Sequence, residues 1–293
     1  MQIAPYISDR KRKRKRRRAY LFTALGLIAL YGIFFGVQWL VLRSPVFRVD
    51  HVVVQGNSAV SSADVIALAE ASAMPGHDIF RSVLTFNNML LWPASISQSE
   101  LQLIPQLATA NISKDFFSHT VTITVTERAP FGIWCFSASP GGGGASASVP
   151  AATSTSSAPI ATGTDTPCYW FDNTGTIFEK AGETQGDLVY TVYDKAQTPR
   201  GLNQKVLSDE FLPNFISIMN VLRASGLSVQ SIELNDLSLE EVDVSTANGP
   251  AIYFSLQFPA DEYLPVIQKL MAQSNFGKLQ YVDCRTGNRL FYK

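Results

Sequence analysis

The chain has 293 residues, and its 24 basic and 24 acidic residues balance in number but not in position. The first 18 residues hold nine Lys or Arg and one acid, Asp9, which leaves 15 basic and 23 acidic residues for the rest. This acidic remainder argues against nucleic-acid binding, because phosphate contacts need clustered Lys and Arg. The remaining length suffices for one large or two ordinary domains.

A run of basic residues precedes a long uncharged segment near the N-terminus. The basic residues are Arg10, Lys11, Arg12, Lys13, Arg14, Lys15, Arg16, Arg17 and Arg18. As a helix, the uncharged residues 19–42 would extend about 36 Å, enough to cross a hydrocarbon core of about 30 Å. Trp39 falls near one end, where an interfacial aromatic is expected. We predict one transmembrane helix over residues 19–43.

The basic run predicts the orientation of this helix, because Lys and Arg beside a span stay on the cytoplasmic side. Residues 1–18 would be a cytoplasmic tail, and the chain after about Arg43 would lie outside. Two other interpretations are a nuclear-localisation or nucleic-acid patch and a cleaved signal peptide. The apolar segment is longer than the about 7–15 residues of a signal peptide, and residues 39–42 (WLVL) form a poor cleavage site. An uncleaved anchor is favoured.

Two of the three cysteines flank a low-complexity segment. Cys135 and Cys168 stand on either side of residues 137–167, which are mostly Gly, Ser, Ala, Thr and Pro and predict a flexible insert. If the neighbouring apolar runs pair as antiparallel strands, the two cysteines come together and a disulfide closes the base of the insert. The alternative is two ordinary buried cysteines. Cys284 is then an odd thiol buried in a strand, and the spacing of the cysteines resembles no zinc site.

The external region begins with elements in the order strand, helix, helix, strand, strand, which predicts an α+β unit with helices on one face of a small sheet. The elements are a strand at 47–55, a helix capped by Ser61 or Ser62, a partly helical stretch at 77–95, a helix from Ser97 to about Gln106, and strands at 108–114 and 120–127.

The region after Pro130 predicts a mostly antiparallel β domain with one or two helices. The predicted strands are at 131–136, 168–181, 188–194, 228–235, 239–246, 251–258 and 278–293, and 168–181 is a hairpin that turns at Asp172 to Gly175. The predicted helices are at 208–225 and 261–274. The first of them is capped by Ser208 and followed by Gly226.

Taken in order, four segments resemble the bacterial cell-division family FtsQ/DivIB. They are the opening FRVDHVVVQGNSAVSSADVIALA at 47–69, the junction Glu127-Arg128-Ala129-Pro130, the hairpin with Asp172 and Gly175, and the closing strand with Tyr281, Asp283 and Arg285. The insert at 137–167 and the apolar length of 77–95 depart from the family pattern.

The resemblance implies a POTRA-like β-α-α-β-β domain at 46–128 and an FtsQ-type β domain at 129–293. It also implies a non-enzymatic scaffold of the divisome at the septum, which binds FtsB- and FtsL-like membrane proteins and needs no cofactor. The implied binding mode is β-augmentation, in which a partner segment adds a strand to a sheet edge.

The last strand is the candidate edge for such a partner. Its residues are Asn288, Arg289, Leu290, Phe291 and Tyr292, with Leu290 and Phe291 as predicted anchors. The alternative is that this strand only completes the sheet. An edge near residues 108–114 and the Gly32-x-x-x-Gly36 pattern in the membrane helix are further candidate contacts.

No catalytic or metal-binding motif occurs in the sequence. The histidines His51, His77 and His119 lie in separate segments, and Glu241 and Asp243, beside Glu240, are expected to face solvent from one strand. Asp283 and Arg285 share a strand face and can pair. The other functions considered are a membrane-anchored POTRA protein assisting secretion or envelope protein assembly, and an anchored hydrolase.

Overall fold

The computed structural model of the chain describes residues 6–73, 88–136, 167–182 and 189–293. Two compact units are present, one comprising Met1–Leu103 and Leu107–Glu127, the other Ile104–Gln106 and Arg128–Lys293. Helices and sheets occur together, which confirms the predicted mixed fold class at this level.

The N-terminal helix α1 is a single element of 38 residues, Tyr6–Arg43. Its part Arg16–Val41 is long and apolar enough to cross a membrane, and none of that part is buried against the rest of the protein. The predicted span at 19–43 lies within α1, but the helix also runs through the basic positions. Lys and Arg are good helix formers, so the charged run continues the helix instead of ending it.

The first unit contains a three-stranded sheet with strand order β1-β3-β2, in which β3 is parallel to β1 and antiparallel to β2. Its elements are β1 at His51–Gln55, α2 at Ser62–Ala73, α3 at Gln98–Leu101, β2 at Leu107–Asp115 and β3 at Thr120–Glu127. The predicted alternation in β3 places Val121, Ile123 and Val125 in the core.

Three predicted boundaries in this unit differ from the structure. The strand expected from residue 47 begins only at His51, because Pro45–Phe47 forms a 3-10 turn. The helix expected from Ser97 ends after one turn, at Leu101. Residues 77–87 of the partly helical stretch at 77–95 lie outside the described residues, and Met89–Leu91 is a 3-10 turn.

The second unit contains a nine-stranded mixed sheet in the order β12-β11-β10-β9-β8-β7-β4-β5-β6. The strands are β4 at Gly132–Phe136, β5 at Cys168–Phe171, β6 at Ile177–Lys180, β7 at Thr191–Asp194, β8 at Val229–Leu234, β9 at Glu241–Thr246, β10 at Ala251–Ser255, β11 at Tyr281–Thr286 and β12 at Arg289–Tyr292. Five pairings are antiparallel, and the three pairs β4–β7, β7–β8 and β10–β11 are parallel.

Two helices, α4 at Leu212–Ser225 and α5 at Leu264–Met271, accompany this sheet. Its main core contains an aromatic cluster: Trp134, Phe171 and Phe215 are fully buried and meet edge to face or tilted. Gly226 ends α4 in the predicted left-handed conformation, with φ of 77°. Ser208 is not the cap of α4, because the N-cap is Phe211 and makes no side-chain hydrogen bond there.

Candidate functional site: the terminal sheet edge

Strand β12 is the outermost strand of the nine-stranded sheet. It pairs with β11, placing Phe291 opposite Asp283 and Tyr292 opposite Val282. On its other side no strand of the described part of the chain pairs with it. Phe291 and Tyr292 are 51% and 53% exposed. The edge therefore combines unpaired strand backbone, to which a partner strand can hydrogen-bond, with two accessible aromatic rings that can contact its side chains.

The candidate partner-binding residues are divided between the two faces of β12. Successive side chains of a strand point to opposite faces. Leu290 packs against the main core, and Tyr292 lies opposite the buried Val282 on that same side. Phe291 therefore projects to the other face, so the two predicted anchors, Leu290 and Phe291, lie on opposite faces of the sheet.

The first two residues of the candidate set differ from the rest in position. Asn288 lies in the tight turn before β12 with φ of 59°, and it is not part of the strand. Arg289 opens the strand opposite Thr286 and is exposed. Arg289, Leu290, Phe291 and Tyr292 thus form the edge itself, and Asn288 shapes the hairpin that leads into it.

An ion-pair cluster lies on the face that carries Phe291. The guanidinium of Arg285 donates to Asp283 Oδ2 at 2.7 Å and to Glu241 Oε2 at 3.0 Å, and its carbon lies 5.1 Å from the ring centroid of Tyr253. The hydrogen bond from Arg285 lowers the pKa of Asp283. Glu241 joins from β9 because β9, β10 and β11 are neighbours in the sheet. Sequence spacing predicts the Asp283–Arg285 pair but misses Glu241.

The two acids of β9 that were expected to face solvent, Glu241 and Asp243, have separate partners. Glu241 accepts from Arg285, whereas Asp243 accepts from the amide of Asn235 at 2.7 Å. Of the histidines, His51 is exposed on β1 and a ring nitrogen of His119 lies 3.1 Å from the carbonyl of Arg48, while His77 is outside the described residues. Within the described residues, no three His, Cys, Asp or Glu side chains gather as a metal ion would require.

Cys135 and Cys168 form a disulfide that joins β4 to β5 at register-paired positions, across a sequence separation of 33. The insert between them, from residue 137 to 166, lies outside the described residues. Cys284 is a free thiol, and its burial raises its pKa to about 12. A thiol that stays protonated and buried is chemically inert.

The basic run is part of α1. The side chains of Arg16, Arg17 and Arg18 are exposed, and the backbone at positions 10–15 is helical, although the side chains there lie outside the described part.

Two further candidate contacts were Gly32-x-x-x-Gly36 and the edge at 108–114. Gly32 and Gly36 have open space around them in the structure. The strand β2, considered as a second edge, is flanked by residues 94–96, which hydrogen-bond to Ala110 and Ile112.

The junction motif and the hairpin motif of the sequence meet in the second unit. Arg128 Nη1 lies 2.5 Å from Asp172 Oδ2, and the two side chains are 14% and 6% exposed. Asp172 also accepts from Thr174 and Thr176 through Oδ1. Burial alone would raise the pKa of Asp172, but these hydrogen bonds and Arg128 lower it. The pair thus stabilises the hairpin between β5 and β6.

Comparison with protein-family models finds no match to this chain. Comparison with curated proteins finds none either.

Proposed function

We propose that this protein is a single-pass membrane scaffold of the bacterial divisome, which holds FtsB- and FtsL-like proteins through its external domains during septum formation. The open outer edge of β12, with Phe291 and Tyr292 exposed beside it, is the observation that carries this proposal. The FtsQ/DivIB resemblance supplies the partners, and an edge strand with accessible aromatic side chains supplies a physical means of binding them.

Two other features support membrane attachment and a scaffold role. The apolar side chains of α1 are exposed, for example Leu25 at 66% and Leu40 at 73%, which is favourable in lipid and unfavourable in water. The first unit has the sheet order β1-β3-β2 with α2 between β1 and β2 in sequence, which is compatible with a POTRA-like domain. We propose that the basic residues hold the N-terminus in the cytoplasm.

The binding mode would be the addition of an extended partner segment to β12. Backbone hydrogen bonds would supply affinity, and side-chain contacts on the two faces would supply specificity. Because Phe291 and Tyr292 lie on opposite faces, the partner strand would place alternate side chains against each of them. This arrangement favours a strand partner over a helix lying on one face.

The test is calorimetric titration of the full chain in micelles with purified external segments of FtsB- and FtsL-like proteins. The informative variant is Phe291→Lys, because position 291 lies opposite Asp283 and a lysine there is electrostatically tolerated, whereas a carboxylate would face a like charge. The matched control is Leu202→Lys. Leu202 is 45% exposed and lies in the loop beside β6, at the other end of the sheet order.

Binding by the wild type and by Leu202→Lys, with loss in Phe291→Lys, is the expected result. Equal binding by all three proteins would keep the scaffold proposal but would show that the partner segments bind elsewhere than at β12. Absence of binding by the wild type at high micromolar concentration would contradict the divisome proposal and favour the role in secretion or envelope protein assembly.

A further inference from the structure

The turn between β2 and β3 exposes an aromatic residue almost completely. Phe117 is 99% exposed and its neighbour Phe116 is 39% exposed. The turn is ordered by Asp115, whose carboxylate accepts from the backbone N–H of Phe117 at 3.0 Å and from the hydroxyl of Ser118 at 2.7 Å. Phe117 is therefore held out by a defined turn.

This turn is bound to the segment that directly follows α1. The rings of Phe47 and Phe116 meet edge to face with centroids 5.9 Å apart. The N–H of Asp50 donates to the carbonyl of His119 at 2.9 Å. Phe47 is the fourth residue after the end of α1, so the chain can carry it at most about 14 Å from that end.

A second contact places the same part of the first unit at the end of α1. The side-chain amide of Asn88 donates to the carbonyl of Val41, near the C-terminal end of the helix, at 3.4 Å. Val46 and Leu90, next to these contacts in sequence, are 56% and 43% exposed. Exposed apolar side chains thus lie near the C-terminal end of the apolar segment of α1.

We propose that the β2–β3 turn inserts Phe116 and Phe117, together with Val46, into the headgroup region of the outer leaflet beside α1. This inference rests on the proposed membrane span of α1. The interfacial layer is about 5–7 Å thick on each side of the hydrocarbon core, and aromatic side chains are enriched there. Lipid is the partner that these side chains would meet, because the turn contacts Phe47 and Asp50, which follow the proposed span by only a few residues.

The consequence is a second point of attachment for the first unit. A domain that is joined to a membrane by one helix can change its orientation relative to the bilayer. A domain that also inserts a turn is restricted to one orientation. The strands of the first unit would then hold a set angle to the bilayer plane.

The test uses a fluorescent probe at position 117 in the full chain. Cys135 and Cys168 are disulfide-bonded and Cys284 is fully buried, so a single added cysteine, Phe117→Cys, takes an environment-sensitive label. The labelled protein is reconstituted into phosphatidylcholine vesicles and isolated by flotation. Quenching by phospholipids that carry a spin label near the headgroup is then measured.

The matched control is Leu103→Cys with the same label. Leu103 is 74% exposed and precedes β2, whereas the turn follows β2, so about 30 Å of strand separates the two positions. A further variant adds Val46→Asp and Phe116→Asp to the protein labelled at 117, which removes the remaining apolar contacts of the turn.

Quenching at 117, its absence at 103 and its loss in the Asp variant are expected. Equal quenching at both positions, or no quenching at 117 in protein that floats with the vesicles, would overturn the proposal. So would a label at 117 that is shielded only after the partner segments are added, because that result identifies a protein site. Failure of the wild type to float would instead contradict the membrane span on which this inference rests.

Discussion

Glu127 and Arg128 are adjacent in sequence, yet each side chain organises a different unit. The carboxylate of Glu127 accepts hydrogen bonds from the backbone N–H groups of Ser58, Ala59 and Val60 at 2.8 to 3.0 Å and from the hydroxyl of Ser58 at 2.6 Å. Burial opposes ionisation, but these hydrogen bonds lower the pKa of Glu127 to about 2. The turn between β1 and α2 is thus closed by a residue at the end of β3.

Replacing Glu127 by Gln should destabilise the first unit by about 1–2 kcal/mol, because charge-assisted hydrogen bonds become neutral ones and one acceptor oxygen is lost. The folded-state pKa lies below the ordinary value of 4.5, so the charge stabilises the fold above that value and ceases to do so as the pH falls towards about 2. Urea unfolding at pH 7 and pH 3 measures both effects.

The variant Glu70→Gln is the control, since it removes the same charge from α2 in the same unit. It should leave the free energy of unfolding at pH 7 nearly unchanged. If Glu127→Gln kept the full pH dependence of the wild type, the hydrogen bonds to residues 58–60 would not contribute as described.

Removing the charge of Asp172 should have a larger effect. Asp172→Asn leaves the mostly buried guanidinium of Arg128 without its counter-ion, and we expect a loss of about 2–4 kcal/mol. Asp209→Asn makes the same chemical change at an exposed ion pair with Lys205 and should cost less than about 0.5 kcal/mol. Comparable losses of unfolding free energy in the two variants would show that burial of the Arg128 pair is unimportant.

Ion pairs and side-chain hydrogen bonds were predictable only where they are local. Asp283 and Arg285 are two apart on one strand, and alternation alone predicts that they meet. Glu241 approaches Arg285 from 44 positions away, and Glu127 approaches Ser58 from 69 positions away. Such contacts depend on strand order and register, which no short sequence pattern contains.

At the scale of elements, the Cys135–Cys168 disulfide fastens β4 to β5 at the start of the insert. Because it closes a long loop, replacing both cysteines by Ser should lower the free energy of unfolding by about 3–4 kcal/mol. Thermal unfolding of the wild type with and without reductant checks this. The double variant should show no further change with reductant, and a reductant effect that persisted there would have another origin.

Elements with strong periodicity were predicted closely. The β2–β3 hairpin follows from alternating apolar residues, and α4 follows from its apolar face and Gly226. The helix expected from Ser97 was predicted too long, because Pro105 disfavours a helical conformation at the residue before it and the apolar Leu103 is 74% exposed instead of buried. The parallel pairs β4–β7, β7–β8 and β10–β11 were not predicted, because pairing direction depends on how the chain crosses over between strands.

For the whole molecule, the proposed topology gives a direct test. With the full chain expressed in bacterial spheroplasts, protease added outside should digest the chain after about residue 43 and spare the residues before it. Replacing the nine basic residues at 10–18 by Gln should give mixed orientations. The control replaces four exposed lysines of the second unit by Gln and should keep the orientation of the wild type. These lysines are Lys180, Lys269, Lys278 and Lys293. Complete protection of the units in the wild type would contradict the proposed orientation.

The parallel pairing of β1 with β3 has a mechanical consequence. The chain enters the three-stranded sheet at His51, the start of β1, and leaves it at Glu127, the end of β3. Because the strands are parallel, tension between α1 and the later chain would pull them past each other in shear. All five register pairs from His51–Thr120 to Gln55–Thr124 would then share the force at once instead of opening in turn. Single-molecule pulling should show a higher rupture force from residues 51 and 127 than from 51 and 120, so the sheet would resist tension applied along the chain in its natural direction.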